Sequence, residues 1–191
     1  MVRGKAREEA ILSSTIALLG ELGYDAITMD AVAARAHASK ATMYRRWRNK
    51  AELVKAALDA LDAKDNSLIP DTGALRSDLV AVMRAARDKA TAPYMAMILD
   101  LVVAARRDPA LAASLRAHIE DEELSPFRVV LQRAVQRRAL PAGAPTELVH
   151  EVAEAMISRQ LQAGSPFDDT FILRVVDDVL LPLLGKKRRR E

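Results

Sequence analysis

Six side chains between positions 40 and 50 carry the recognisable chemistry of this chain: Lys40, Thr42, Tyr44, Arg45, Arg46 and Lys50. Their groups hydrogen-bond and pair with charge; none is arranged to move a proton or hold a metal. Five of the eleven residues from Lys40 to Lys50 are basic and none is acidic, so a polyanion is the natural partner. Helical spacing sorts the roles. Lys40, Ala41, Thr42, Tyr44 and Arg45 fall on or around one exposed face, whereas Met43 and Trp47, four apart, can pack downward. Lys40, Thr42 and Arg45 are the best candidates for base edges, and Ala41 could touch a thymine methyl. Tyr44, Arg46 and Lys50 suit phosphate or mixed contacts. Thr28 could reach a phosphate from the start of the preceding helix, although capping competes for its hydroxyl. On charge alone, a plain solvated face is as good a reading.

Other chemistries find little support. His37, His118 and His150 are scattered, and no two stand at metal-ligand spacing. There is no Cys, which removes disulfides, thiolate zinc sites and thiol catalysis. His-Glu-x-x-His, Gly-x-Ser-x-Gly and phosphate-loop patterns are missing. The cluster Glu120-Asp121-Glu122-Glu123 reads as a solvated charged run. No enzyme, cofactor or metal is therefore expected.

The elements around Lys40–Lys50 must hold that stretch outward. Half of the 191 residues are apolar and only 4% are aromatic, with much Ala and Leu, which favours an all-α chain. Residues 8–22 form a first helix, with Ile11, Leu12, Leu18, Leu19 and Leu22 at three- and four-residue spacing and Gly23 at its end. Thr28 caps a helix from Met29 to Ala36, and Asp30 lies in its first turn. His37-Ala38-Ser39 breaks the chain, and Ser39 caps a third helix from Lys40 to Trp47. Asn49 and Glu52 form the capping-box pattern of a fourth, marked by Leu53, Ala57, Leu58 and Leu61.

Residues 64–73 are a linker by composition. Helices then follow over 74–90, from Pro93 to 106, over 109–120, from Pro126 to 138, over 146–163 and from 168 or 169 to 184. Asp108-Pro109 and Ser125-Pro126 supply two of the starts. No apolar run reaches the ~18 residues of a membrane span, and no secretion signal is legible, so a cytoplasmic protein is expected. Residues 1–55 hold ten Lys/Arg against six Asp/Glu, whereas 56–185 hold fourteen against nineteen. The expected division is a helix-turn-helix domain over 1–55, a helical body over 56–185 and a basic disordered tail over 186–191.

Residues 7–54 resemble the DNA-binding domain of the TetR/AcrR family of bacterial regulators. The matching pieces are Ile11-Leu12, Leu18-Leu19, Leu22-Gly23-Tyr24, Ile27-Thr28-Met29, Val32-Ala33, Ala36, Ser39, Thr42-Met43-Tyr44, Trp47, Asn49-Lys50 and Glu52-Leu53. The resemblance implies a homodimer on a roughly palindromic duplex DNA operator, usually as a repressor. It also implies a C-terminal antiparallel helical domain that dimerises and encloses a ligand pocket. Two departures stand out. The family usually has Gly where His37 stands, and His tolerates a positive φ only moderately well. Trp47 and Arg45-Arg46 replace the more common Phe and aromatic or His residues.

The last two helices resemble the family's dimer-forming pair. Leu148, Val152 and Met156 on one, with Phe171, Ile172, Val175, Val179 and Leu183 on the other, are the expected interface. A monomer burying the last helix internally is the alternative. Met83, Tyr94, Met95, Ile98, Leu101, Phe127, Leu131 and Met156 are the expected lining of the pocket, for a small and mostly apolar effector. Each is singly also an ordinary core residue. The rival for the whole chain is a helical dimeric protein-interaction or architectural module without ligand response.

Overall fold

Side chains close the free N–H groups at most helix starts. The Thr28 hydroxyl accepts from the Ala31 N–H at 3.1 Å, and Ser39 accepts from the Thr42 N–H at 3.2 Å. Asp108 accepts from Ala110 and Leu111, Ser125 from Arg128 and Asp168 from Phe171. These short-range bonds satisfy donors that the helix cannot. Asn49 accepts from the Glu52 N–H at 2.9 Å, while Glu52 reaches back to the Arg48 N–H at 2.9 Å. The capping box thus closes one residue earlier than its usual form.

The computed structural model describes residues 2–66, 69, 71–121 and 125–185, and its regular elements are helices throughout. They are α1 (Val2–Ala26), α2 (Met29–Arg35), α3 (Lys40–Arg46), α4 (Lys50–Asn66), α5 (Leu75–Lys89), α6 (Ala92–Ala105), α7 (Pro109–Ile119), α8 (Pro126–Gln136), α9 (Thr146–Gln162) and α10 (Asp169–Val175). Beyond α10 the chain continues through a π-helical stretch, Val176–Leu180, and a last turn, Leu181–Leu183. The expected tail 186–191 lies outside the described residues, as do parts of the 64–73 linker and of the 120–123 cluster. α1 begins earlier than its apolar periodicity predicts, and it breaks where predicted, at Gly23 with φ 75° and ψ 170°.

Packing groups the helices into two compact units. One contains α1–α4, α6 and α7; the other contains α5, α8, α9 and α10 with its continuation. This grouping differs from the division at 55/56, which follows charge along the chain. In the first unit Ile11, Leu19, Ile27, Val32, Met43, Leu53 and Val54 form a core that Leu101 and Leu111 join. α6 lies along α1, so the positions that orient the helix-turn-helix are seated partly on α6.

In the second unit Leu79, Val82, Met83, Val130, Leu131, Ile172, Val175 and Leu180 are buried together. Asp177, Asp78, Ser125 and His150, buried in this unit, are paired. Asp177, on the π-helical stretch, receives both Nε and a terminal nitrogen of Arg76, at 2.7 and 2.8 Å. Asp78 accepts from the Thr72 N–H and hydroxyl, at 2.9 and 2.6 Å, and from Arg137. Ser125 Oγ and His150 Nδ1 lie 3.0 Å apart. Such pairing removes the desolvation cost that unmatched polar groups would carry.

Candidate nucleic-acid interface

α2 and α3 are joined by a tight turn through Ala36, His37, Ala38 and Ser39. His37 takes φ 50°, the left-handed conformation in which Gly is least strained. Backbone bonds from His37 to Ala34 and from Ala38 to Ala33 hold the turn. Met43 is fully buried and Trp47 is 6% exposed, so these two plug α3 into the core. Lys40, Ala41, Tyr44, Arg45 and Arg46 are exposed and Thr42 is half-buried. Tyr44 leaves 55% of its surface open, a large exposed area for an aromatic side chain. The short helix therefore turns Lys40, Ala41, Tyr44, Arg45 and Arg46 outward and anchors by its opposite side.

Most cations here already have partners. Lys40 Nζ lies 2.6 Å from an Asp30 carboxylate oxygen, and this bond raises the lysine pKa. Arg46 pairs with Glu8, and Arg35 holds both oxygens of Glu21 at 2.5 and 2.7 Å. These pairs are exposed, so water and salt screen them and a phosphate can displace the carboxylate at small cost. Thr42 shares a 2.9 Å hydroxyl contact with Ser39. Thr28 is exposed, but its hydroxyl caps α2 as expected.

Lys50 has a partner within the chain. Its ammonium donates to the Tyr24 carbonyl at 2.6 Å and sits 4.0 Å from the centre of the Tyr24 ring. It is half-buried, and this bond ties it to α1. The spacing that puts Lys50 in the first turn of α4 says nothing about a partner 26 residues away. In the sequence Tyr24 stands out only as part of the family pattern. It is the hub that ties the head to α6 and α7, because its N–H donates to Asp100 at 2.6 Å and its hydroxyl to Asp108 at 2.7 Å. Glu8, Glu21 and Asp30 are likewise partners that the sequence pattern does not mark. For Asp30 and Lys40, charge complementarity across the short turn was the available signal.

The body residues are placed differently from expectation. Phe171, Ile172 and Val175 are buried within this chain's own core, so they cannot also form a partner-facing surface. α10 is apolar on more than one side, and it packs against α5. Leu148 is 47% and Leu183 37% exposed, while Val152, Met156 and Val179 are half-buried. The expected pocket residues divide between the two units. Met83, Phe127 and Leu131 are packed in the second core, with Met156 against it; Leu101 is packed in the first, with Tyr94 and Ile98 against it. Met95 is half-buried. Full burial in close-packed cores makes Met83, Leu101, Phe127 and Leu131 structural first.

Among the described residues no helix is long and apolar enough to cross a membrane. Residues 11–57 match the family described as bacterial regulatory proteins, tetR family, and residues 69–179 match a tetracyclin repressor-like C-terminal domain. The chain is 49% identical over 184 residues to a DNA-binding transcriptional repressor TetR of Mycobacteroides abscessus, covering 96% of this chain and 97% of that one. It is 36% identical over 181 residues to an uncharacterized HTH-type transcriptional regulator of Mycobacterium tuberculosis, covering 94% and 89%. Among solved structures it is similar to the TetR family transcription regulator SCO0332. The TM-score is 0.70 at 26% identity, covering 89% of this chain and 94% of that one.

Proposed function

The chain belongs to the TetR family of bacterial regulatory proteins, and from that premise we propose how it regulates: two copies bind one palindromic operator and repress transcription until an effector loosens them. It is a sequence-specific DNA-binding regulator and not an enzyme. The observation that carries the docking is α3, which plugs Met43 and Trp47 into the core and turns Lys40, Ala41, Tyr44, Arg45 and Arg46 outward. A helix so mounted fits a major groove, and two copies related by a two-fold axis meet successive grooves about 34 Å apart.

Lys40, Thr42 and Arg45 are the proposed base readers, with Ala41 against a thymine methyl. Tyr44, Arg46 and Thr28 are the proposed backbone contacts. Lys40 must leave Asp30 to read a base, and Asp30 thereby lowers attraction to arbitrary duplex. For the dimer, Leu148, Val152, Met156, Val179 and Leu183 are the proposed contact positions, since each keeps surface outside the chain's own core. For the effector, a small and mostly apolar molecule is proposed; half-buried Tyr94, Met95 and Ile98 supply its adaptable contacts. A cytoplasmic location follows from action on DNA.

The test is selection of bound fragments from genomic DNA, followed by titration of the recovered site by fluorescence anisotropy. Lys40→Ala and Thr42→Ala should change the preferred sequence, whereas Tyr44→Ala should weaken all duplexes alike. Wild-type preference retained by both of the first two variants would overturn the assignment of readers. Operator release across an effector panel tests the switch: response only to highly charged compounds would count against an apolar effector.

A further inference from the structure

A concavity of about 220 Å³ opens beside α3, lined by Gly4, Arg7, Glu8 and Ile11 of α1 and by Thr42, Arg45 and Arg46 of α3. The lining has a simple origin in helical geometry. Positions 4, 7, 8 and 11 form one face of α1, and positions 42, 45 and 46 form one face of α3. Ile11 is fully buried and forms an apolar floor. Three arginines and a single acidic residue therefore line one small recess. Glu8 neutralises Arg46, but Arg7 and Arg45 have no carboxylate partner among the described residues. This differs from the neighbouring cations, since Lys40, Arg35 and Lys50 are each partnered within the chain.

We infer that this concavity is a phosphate site, filled by a phosphodiester of the bound duplex, and that Arg7 of α1 is part of the DNA interface. The chemistry fits. The guanidinium forks of Arg7 and Arg46 bond phosphate oxygens in pairs, which leaves Thr42 and Arg45 to the base edges. Phosphate entry exchanges the Glu8–Arg46 pair for stronger charge-assisted bonds. Arg45, Arg46 and Thr42 belong to both the recess and α3. A phosphate held there thus fixes α3 in register beside the bases it reads. The inference rests on the regulatory reading above and extends the interface to a helix outside the helix-turn-helix.

The experiment is operator binding at several salt concentrations with wild type, Arg7→Ala, Arg7→Lys and Glu8→Gln, each checked for fold by circular dichroism. Arg7→Ala should reduce the slope of log affinity against log salt by about 0.9 per protomer, with about tenfold weaker binding to operator and unrelated duplex alike. Arg7→Lys should restore most of the slope. Glu8→Gln should tighten unrelated duplex about twofold to fivefold, by releasing Arg46. A folded Arg7→Ala that matches wild type in slope and affinity overturns this inference and leaves the regulatory reading intact. A wild type that binds no duplex overturns both. Calorimetry with pyrophosphate separates the source of the phosphate: binding that Arg7→Ala abolishes, with an unchanged DNA salt slope, marks a small-anion site and overturns the duplex assignment.

Discussion

The Tyr24 hydroxyl donates to the Asp108 carboxylate at 2.7 Å, joining the end of α1 to the residue that caps α7. Burial first, and then the Asp108 bond, push the phenol pKa up, so it stays a donor throughout the neutral range. The same bond lowers the Asp108 pKa. Tyr24→Phe keeps the ring under Lys50 and removes only the hydroxyl. It should cost about 1 kcal/mol in urea unfolding, the usual net value of such a bond. A midpoint equal to wild type would mean that the hydroxyl contributes nothing.

Gly23 precedes that tyrosine with φ 75° and ψ 170°, a region other residues avoid. A Cβ there would also stand 3.1 Å from an Asp100 carboxylate oxygen. Gly23→Ala should therefore destabilise by about 1–3 kcal/mol. Adding Asp100→Ala relieves the crowding but not the backbone strain, so the double variant should stay below Asp100→Ala alone. Equal stability of those two proteins would show that strain at Gly23 is negligible.

His118 of α7 sits between two carboxylates of α4, with Nδ1 2.7 Å from Asp59 and Nε2 3.3 Å from Asp62. Lys55 also holds Asp59 at 2.6 Å. Burial opposes the charged imidazole, but the bonds to Asp59 and Asp62 outweigh it and raise the pKa from 6.5 to about 9. A raised folded pKa gives stability that is full below pH 6.5 and is lost as pH rises through about 9. Screening at this partly open site reduces the gain to about 1 kcal/mol. Wild type should exceed His118→Gln in melting temperature at pH 6, and the gap should close by pH 9.5. A constant gap would assign the effect to packing.

His37 holds the turn at φ 50°. His37→Gly should be neutral or stabilising within about 1 kcal/mol, because relief of strain offsets the added freedom of the unfolded chain. His37→Val should lose about 1–3 kcal/mol, since a branched side chain resists that conformation. Denaturant midpoints that rank the valine variant at or above glycine would contradict the strain argument.

Local signals were readable with little loss. Thr28, Ser39, Asp108, Ser125 and Asp168 cap the helices they precede, because a cap bonds an N–H only two or three residues ahead. The inward turn of Met43 and Trp47 was legible for the same reason: helical periodicity requires nothing beyond α3. Lys50 was not legible, since its partner Tyr24 lies across the fold. Nor was the distribution of Met83 and Tyr94 between two packing units, which neighbours in sequence do not encode.

From residues alone, then, came the helical class, the family likeness and the outward cationic face of α3, all consequences of short-range spacing. Tertiary structure decided which charges stay available: Arg7 and Arg45 gather at one recess while Lys50 is held by a backbone carbonyl. It also decided that Phe171, Ile172 and Val175 serve the chain's own core. The physical reason is common to both. An apolar stripe or a cation states what it can bind, but the contact is made by whichever element packing brings within a few ångströms.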